Sequence, residues 1–399
     1  MFKNILVVII VLGSLAFFEP VFLNRQTIGM IHLGITGIIL ALILVYSVYD
    51  TSKKMRATFV FEIFLLFFAV FLSMIGAFLF HYQSFEITLM AQRTLYLFLF
   101  YFLLHQLKPK PGFIIRLFVV ISIVWSVLYI IQWFAFPTQL FGANMFKDRN
   151  TIRIFMPGVS FAVIAYFICI LKFLNTNHYK YLLVLLLLLF LFVLLGTRQV
   201  LGPVLLITII ILIQSKRFNS KFVIILLGVA SIIPIYFIFQ DIVVAMIDIT
   251  KQQSQSIAEN IRVKAVLFYF YRFSPGTLSF LIGNGAYSAH SSYGIMMDNY
   301  SKLFGYYLAD IGIIGEFILY GIVFVIAELI ILFRMAFFRY PEEFKFIKYA
   351  VYSMFFSLFV GAGSFALAEG IIMMTLLLYL TDVAAWIKKD EKLLNRNVS

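Results

Sequence analysis

Apolar runs long enough to cross a bilayer follow one another along this chain with only short polar breaks between them, and that alternation leaves few folds open. The runs fall at roughly 5–18, 28–49, 59–80, 88–104, 113–134, 155–174, 181–195, 200–214, 221–239, 305–333, 346–362 and 367–387. Each suits a helix through a hydrocarbon layer about 30 Å thick. The expectation is an all-α integral membrane protein with about twelve transmembrane helices, built as a single polytopic domain over residues 1–399. The first run resembles a signal-peptide core behind Lys3, but Leu15-Ala16-Phe17-Phe18-Glu19-Pro20 offers no small-x-small cleavage site, so it is kept as a short first helix. The last two form either two crossings or one broken hairpin around Gly361-Ala362-Gly363.

Composition agrees with that class. A chain that is 63% hydrophobic and 12% charged, with mean hydropathy +1.03, cannot present a conventional aqueous surface. Its one cysteine, Cys169, lies inside an apolar run, which excludes an intramolecular disulfide or a cysteine metal cluster. A net charge of +13 would suggest nucleic acid in a soluble protein; here it reports topology first, and no nucleic-acid partner is expected.

Cytoplasmic loops retain lysine and arginine, so the basic residues set the orientation. With the N-terminus inside, the inner segments collect Lys3, Lys53, Lys54, Arg56, Lys108, Lys110, Arg116, Lys172, Lys180, Lys216, Arg217, Lys221, Arg334, Arg339, Lys345, Lys348, Lys388, Lys389, Lys392 and Arg396. Both termini are therefore placed in the cytoplasm. Left on the outer side or in the outer half of the membrane are Arg25, Arg93, Lys147, Arg149, Arg153, Arg198, Lys251, Arg262, Lys264, Arg272 and Lys302. Most of these fall in three places: the 135–154 loop, the polar break Gly196-Thr197-Arg198-Gln199, and the 240–304 loop. Such cations are either merely solvated or used by the protein.

The polar break separates two apolar runs and must be a tight turn holding Arg198 at one bilayer surface. The loop from Gln240 to Phe304 is too long to be structureless. Its stretch from Lys251 to Phe273 has helical composition, with Glu259 and Arg262 three apart on one face. On an α-helix Arg262 and Arg272 would stand about 80° apart, broadly on one side. Ser274-Pro275-Gly276 ends that helix; Ile282-Gly283-Asn284-Gly285-Ala286 is a glycine turn, and Ser288 to Tyr300 is polar.

These segments resemble the bacterial O-antigen polymerase and ligase superfamily, which includes the Wzy-type polymerases. The resemblance is carried by GTRQ between two crossings, IRVKA before the turn IGNGAYS, and LADIGIIGEFILYG opening the next crossing. Arg149-Asn150-Thr151-Ile152-Arg153-Ile154-Phe155-Met156-Pro157-Gly158 adds an arginine then proline-glycine stretch. Together they cover roughly residues 145 to 335. The resemblance implies a glycosyltransferase, without cofactor or metal, at the outer face of the bacterial cytoplasmic membrane. It would join oligosaccharide repeat units carried on undecaprenyl diphosphate, which serve as donor and acceptor, as in O-antigen or capsule synthesis. Membrane lipid and a chain-length regulator are the other partners it implies.

By match to the family pattern, Arg198 and Arg262 bind the substrate diphosphate, with Arg153, Arg149 and Arg272 next. Arginine's planar fork suits phosphate oxygens and a leaving group's growing charge. The ligase branch carries a histidine-asparagine pair shortly before the glycines of the next crossing; here Ser301 stands at that spacing, which favours the polymerase. Asp298, His290 and Asp310, in that order, are the candidate bases for the acceptor hydroxyl. The plainer readings are that Asp310 caps a helix and His290 is a solvated loop residue.

Arg93, beside Gln92 and about one turn inside its crossing, would either reach an outer cavity or snorkel to the interface. Glu316, Glu328 and Glu369 lie within or near crossings, where ionisable groups face a cavity or a partner. They are also what a lipid-linked oligosaccharide flippase or another secondary transporter would use, which makes that the rival reading alongside the ligase. No P-loop, dinucleotide fingerprint or zinc spacing is present.

Overall fold

Backbone polar groups in hydrocarbon have no water to bond, so the apolar runs close their hydrogen bonds internally as helices. The computed structural model describes residues 2–49, 57–142, 144–148, 151–215, 222, 224–225, 260–358, 365 and 367–396. Among these, six helices are long and apolar enough to cross a membrane: Arg25–Ser47, Val60–His81, Pro111–Ala135, Val159–Thr176, Ile313–Phe337 and Ala368–Lys389. The pair Phe85–Ala91 and Leu95–Leu107, bent by 64°, is either a seventh, broken span or a re-entrant loop. The apolar helices Phe2–Ser14, Tyr179–Leu194 and Gln199–Gln214 are shorter. The expected crossing at 221–239 and the Gly361-Ala362-Gly363 break lie outside the described residues.

The chain divides into two compact units, one made of Met1–Ala16, Arg25–Pro111 and Ala258–Ser399, the other of Phe17–Asn24 and Gly112–Ile257. The first contains helices α1 (Phe2–Ser14), α2 (Arg25–Tyr49), α3 (Val60–His81), α4 (Phe85–Ala91) and α5 (Phe100–Leu107).

At one end of the first unit, polar groups tie the helices together. Asp382, buried on the last helix, accepts from the Thr58 backbone N–H (3.3 Å), the Thr58 hydroxyl and the Tyr101 phenol (2.5 Å each), and meets His105 Nε2 at 3.0 Å. His105 Nδ1 in turn donates to the Tyr101 carbonyl at 2.9 Å. Beside this cluster Arg334 pairs with buried Glu62, donates to the Thr58 carbonyl and lies 4.4 Å over the Phe59 ring. Lys108 and Lys388 stand near this end, where Tyr379 donates to the Pro109 carbonyl and Lys388 to the Arg339 carbonyl. Four of the basic residues that the sequence assigns to one side of the membrane, Lys108, Arg334, Arg339 and Lys388, thus lie at one end of this unit.

The bend between α4 and α5 falls where a straight crossing over 88–104 was expected. Gln92, fully buried there, donates to Ser73 Oγ at 2.7 Å, and Arg93 Nη1 donates to the Met90 carbonyl at 3.0 Å. The flat guanidinium lies against Gly29 of α2, where a Cβ would come within 3.0 Å of Arg93 Nε, Cζ and Nη2.

The second unit is built on α6 (Pro111–Ala135), α7 (Val159–Thr176), α8 (Tyr179–Leu194) and α9 (Arg198–Gln214). The segment after α6 departs from the all-α expectation. Strands β1 (Asn144–Asp148) and β2 (Thr151–Phe155) form an antiparallel hairpin in which Phe146 faces Arg153. The short alternation of apolar and polar side chains permits a strand, and pairing satisfies backbone groups that no helix uses there. Buried Gln132 organises the approach: its Oε1 accepts from the Leu140 and Phe141 N–H groups at 2.6 and 2.7 Å, and its Nε2 donates to the Thr138 carbonyl at 2.9 Å.

Candidate functional site

The polar segment 260–312 of the first unit folds into a cap with its own core. Helix α10 (Ile261–Phe268) is opened by Asn260, whose side chain accepts from the Arg262 N–H at 3.0 Å. It runs into a π-turn at Tyr269–Phe273, closed by Ser274, whose N–H and hydroxyl both donate to the Tyr269 carbonyl. Two further helices follow, α11 (Thr277–Ile282) and α12 (Ser292–Phe304), the latter capped by Ser291 Oγ, which accepts from the Gly294 N–H. Ala265, Tyr269, Phe273, Tyr293, Met297, Leu308, Ile311 and Ile318 pack together as the buried core. Tyr269 donates to the Tyr306 carbonyl and Tyr293 to the Gly285 carbonyl, so both buried phenols are satisfied. Burial, followed by neighbouring tyrosines, pushes both phenols above their ordinary range.

The strip after α11 anchors this cap to the bundle. Helix α13 (Ile313–Phe337) breaks at Gly321, where φ is 79° and ψ 179°. The break frees the carbonyls of Ile318 and Leu319, and the strip occupies them: Asn284 N–H and Nδ2 donate to Ile318 at 3.0 and 2.9 Å, and the Gly285 N–H donates to Leu319 at 2.7 Å. Gly283, at φ 80°, lies with its backbone against that of Gly321, and its carbonyl rests on Gly76 of α3. Gly285 sits against Ser73 and Ala77 one turn away. Only residues without a Cβ permit backbones to approach this closely, which is why the glycine turn IGNGA has its form.

Around the strip, two side chains at the end of α3 connect bundle and cap. His81, half-buried, has its Nε2 3.2 Å from Asn284 Oδ1 and its ring stacked on Tyr293 (3.9 Å, 7°), with Phe273 nearly parallel to one side (5.1 Å, 18°). Gln83, buried, donates through Nε2 to Thr88 Oγ1 and the Ala286 carbonyl, and accepts through Oε1 from the Ser288 N–H and the Ser291 hydroxyl. Neither residue was singled out from the sequence, because both follow directly on an apolar run and look like its polar border. Asn284 was read only as part of a turn. A histidine and a glutamine two residues apart at the mouth of a crossing were the available signal.

The residues chosen from the sequence fall into two groups. In the first unit, Arg262 stands half-buried in the first turn of α10 and Arg272 is exposed in the π-turn. The π-turn underwinds the helix, so the 80° separation worked for a regular α-helix does not apply to this pair. Asp298 is exposed and paired with Lys302 at 2.6 Å on the outward side of α12. His290 is exposed in the turn before α12, and Asp310 is exposed in a 3₁₀ turn at Leu308–Ile311. Asp310 does not cap α13, whose N-cap position is Gly312 with no side-chain cap bond. Glu259 lies outside the described residues.

In the second unit, the GTRQ break is the tight turn expected: α8 ends at Leu194, Thr197 is the N-cap and Arg198 opens α9. Arg153 on β2 is half-buried, its guanidinium 5.8 Å from the Phe155 ring centroid. Arg149 lies outside the described residues.

Helices α2, α9 and α10 share an unusual opening. Each begins with an arginine in its first turn and has no acidic residue there: Arg25, Arg198 and Arg262. The partial positive charge of a helix N-terminus disfavours a cation by about 0.3–1 kcal/mol and favours an anion by a similar amount. An anion at the opening of α2 or α10 would be met by backbone N–H groups with an arginine in the same turn. No protein-family model matches this chain, and no curated protein sequence matches it.

Proposed function

We propose that this chain is a polysaccharide polymerase, a membrane glycosyltransferase that joins undecaprenyl-diphosphate-linked oligosaccharide repeat units at the outer face of the bacterial cytoplasmic membrane. The observation that carries the reading is the cap: the three segments of family resemblance in the first unit, IRVKA, IGNGAYS and LADIGIIGEFILYG, fold into one built structure wedged into the end of α3 and α13. A mobile tether between crossings would have no need of a buried core and a backbone-to-backbone anchor. The helices that open on Arg262 and Arg198 suit diphosphate oxygens, whose charge grows as the glycosyl bond breaks. Arg153, Arg149 and Arg272 are the further cations assigned to the substrate phosphates by the resemblance.

In this reading about twelve segments cross the membrane, both termini are cytoplasmic and the cap is external. Cysteines introduced singly at positions 109, 175, 290 and 342 would be labelled by a membrane-impermeant thiol reagent in intact cells only at 290.

The surface glycan of a deletion strain tests the function. A single repeat unit on its final anchor is the expected pattern, restored to long chains by the wild-type gene and not by Arg262→Ala or Arg198→Ala. Full-length polymer from both variants at normal protein level would remove the diphosphate role. Long polymer stranded on undecaprenyl diphosphate in the deletion strain would instead indicate the ligase.

One observation favours a second reading. Glu316 and Glu328 are buried on α13 with their carboxyl groups interacting with each other. Buried acids of that kind suit a proton-coupled transporter of lipid-linked oligosaccharide. Unextended units trapped on the inner side of the membrane in the deletion strain would establish that reading in place of the polymerase.

A further inference from the structure

We propose that His81 is the base that takes the proton from the attacking sugar hydroxyl, an assignment that rests on the polymerase reading. Asn284 sets the chemistry of the imidazole. Its Nδ2 donates to the Ile318 carbonyl at 2.9 Å, and an inverted amide would set two oxygens against each other there. Oδ1 is therefore the atom facing His81, and a carbonyl oxygen only accepts, so Nε2 of His81 carries the hydrogen. In the neutral ring the lone pair is then on Nδ1, which forms no hydrogen bond among the described residues. A base held in one tautomer by a hydrogen bond from its other nitrogen is the arrangement general-base chemistry needs.

The surroundings hold the ring still. Tyr293 stacks on one face of the ring, at 3.9 Å and 7°, and Phe273 lies nearly parallel to the side of it, at 5.1 Å and 18°. Asn284 is itself fixed by its backbone N–H on the carbonyl freed at the Gly321 break. The charged groups on the elements packed here are Arg272 of the π-turn, Asp298 and Lys302 of α12 and Glu316 of α13, beside the phenols Tyr269, Tyr287 and Tyr293, and none of them bonds to His81 among the described residues. His81 ends a helix long and apolar enough to cross the membrane, so the reading places the sugar at the level where that crossing ends. By contrast Asp298 is already neutralised by Lys302, and neither His290 nor Asp310 has a residue orienting it among the described contacts.

In the step proposed, the hydroxyl oxygen of the acceptor sugar forms the bond to the donor's anomeric carbon. The bond from that carbon to the diphosphate oxygen breaks, and its electron pair leaves with the lipid diphosphate. The hydroxyl proton passes to Nδ1 of His81, and water takes it before the next turnover.

The test uses the purified full-length protein in nanodiscs with undecaprenyl-diphosphate-linked repeat units extracted from the deletion strain. Gln at position 81 keeps an N–H for Asn284 and removes the base, so His81→Gln should lower kcat by about 10²- to 10⁴-fold with KM little changed. His81→Ala should regain turnover when imidazole is added, which a residue of purely structural role would not do. Near wild-type kcat in His81→Gln overturns the assignment and leaves the polymerase reading standing; wild-type protein unable to extend the units overturns that reading itself. Should both variants fail to fold, diethyl pyrocarbonate on the wild-type protein decides: acylated His81, located by mass spectrometry, must abolish turnover and be protected by substrate, and turnover that survives its acylation refutes the proposal.

Discussion

Replacing Gly283 by alanine tests the anchor between cap and bundle more sharply than any other single change. A Cβ built at this position falls 2.6 Å from the Tyr320 carbonyl carbon and 2.7 Å from the Gly321 nitrogen, with the Leu319 oxygen closer still. All three are backbone atoms, so no side-chain rotation relieves the overlap. The residue's φ of 80° adds about 1–2 kcal/mol for any residue with a Cβ. Forcing the strip away from α13 adds about 1–3 kcal/mol of overpacking. It also endangers the bonds from Asn284 and Gly285 to the Ile318 and Leu319 carbonyls, each about 1 kcal/mol. The expected loss is about 3–5 kcal/mol, concentrated in the cap rather than spread over the bundle. Denaturant unfolding in mild detergent would measure it, and limited proteolysis at the exposed Pro275-Gly276 would report local release of the cap. Gly34 of α2 is the control: a Cβ there meets nothing within 4 Å, and Gly34→Ala should gain roughly 0.5–1 kcal/mol from reduced backbone entropy. Gly321→Ala should resemble Gly283→Ala, and the double variant should cost less than the sum, because both methyl groups compete for one gap. If Gly283→Ala unfolds within about 0.5 kcal/mol of wild type, the ordinary range for surface changes, the wedge is not anchored as described.

Two contrasts probe the rest of the framework. Asp382→Asn keeps an oxygen for Thr58 N–H and the Tyr101 phenol and places its amide opposite the Thr58 hydroxyl, so it should cost about 1–2 kcal/mol, whereas Asp382→Ala orphans several buried donors and should cost about 3–5 kcal/mol in the same unfolding assay. In the second unit, Gln132→Leu strands the Leu140 and Phe141 N–H groups and should cost about 2–4 kcal/mol, while Gln132→Glu retains the acceptor and should lose only about 1–2 kcal/mol through the Thr138 carbonyl. Amide exchange at Leu140 and Phe141 faster in the leucine variant alone would confirm the site of the damage.

Much of the candidate site was open to a reader of the sequence, and the part that was not has a common cause. The tight turn at Gly196-Thr197-Arg198 and the helix stop at Ser274-Pro275-Gly276 are local, set by residues a few positions apart, and they are where they were expected. Local signals also miscarried where two conformations were open to the same residues. The 144–155 stretch became a hairpin, and the polar stretch after Ser291 became a regular helix because Met297 and Tyr293 found a core to enter. At the bend at 92–94 Gln92 bonds to Ser73 on another helix, a partner that no window around residue 92 contains.

By itself, the sequence determined that this is a helical chain with several segments apolar enough to cross a membrane, and which polar breaks interrupt its helices. Hydrophobicity and charge act on each segment through its solvent, so they can be read one segment at a time. Only the tertiary structure decided that His81 and Asn284, 203 positions apart, form a pair. It also decided that the glycine turn is a wedge rather than a loop, because the carbonyls it satisfies exist only where another helix breaks at Gly321. Hydrogen bonds and backbone contacts of that kind belong to two segments at once. The base proposed for the reaction therefore lies outside every motif that suggested the reaction.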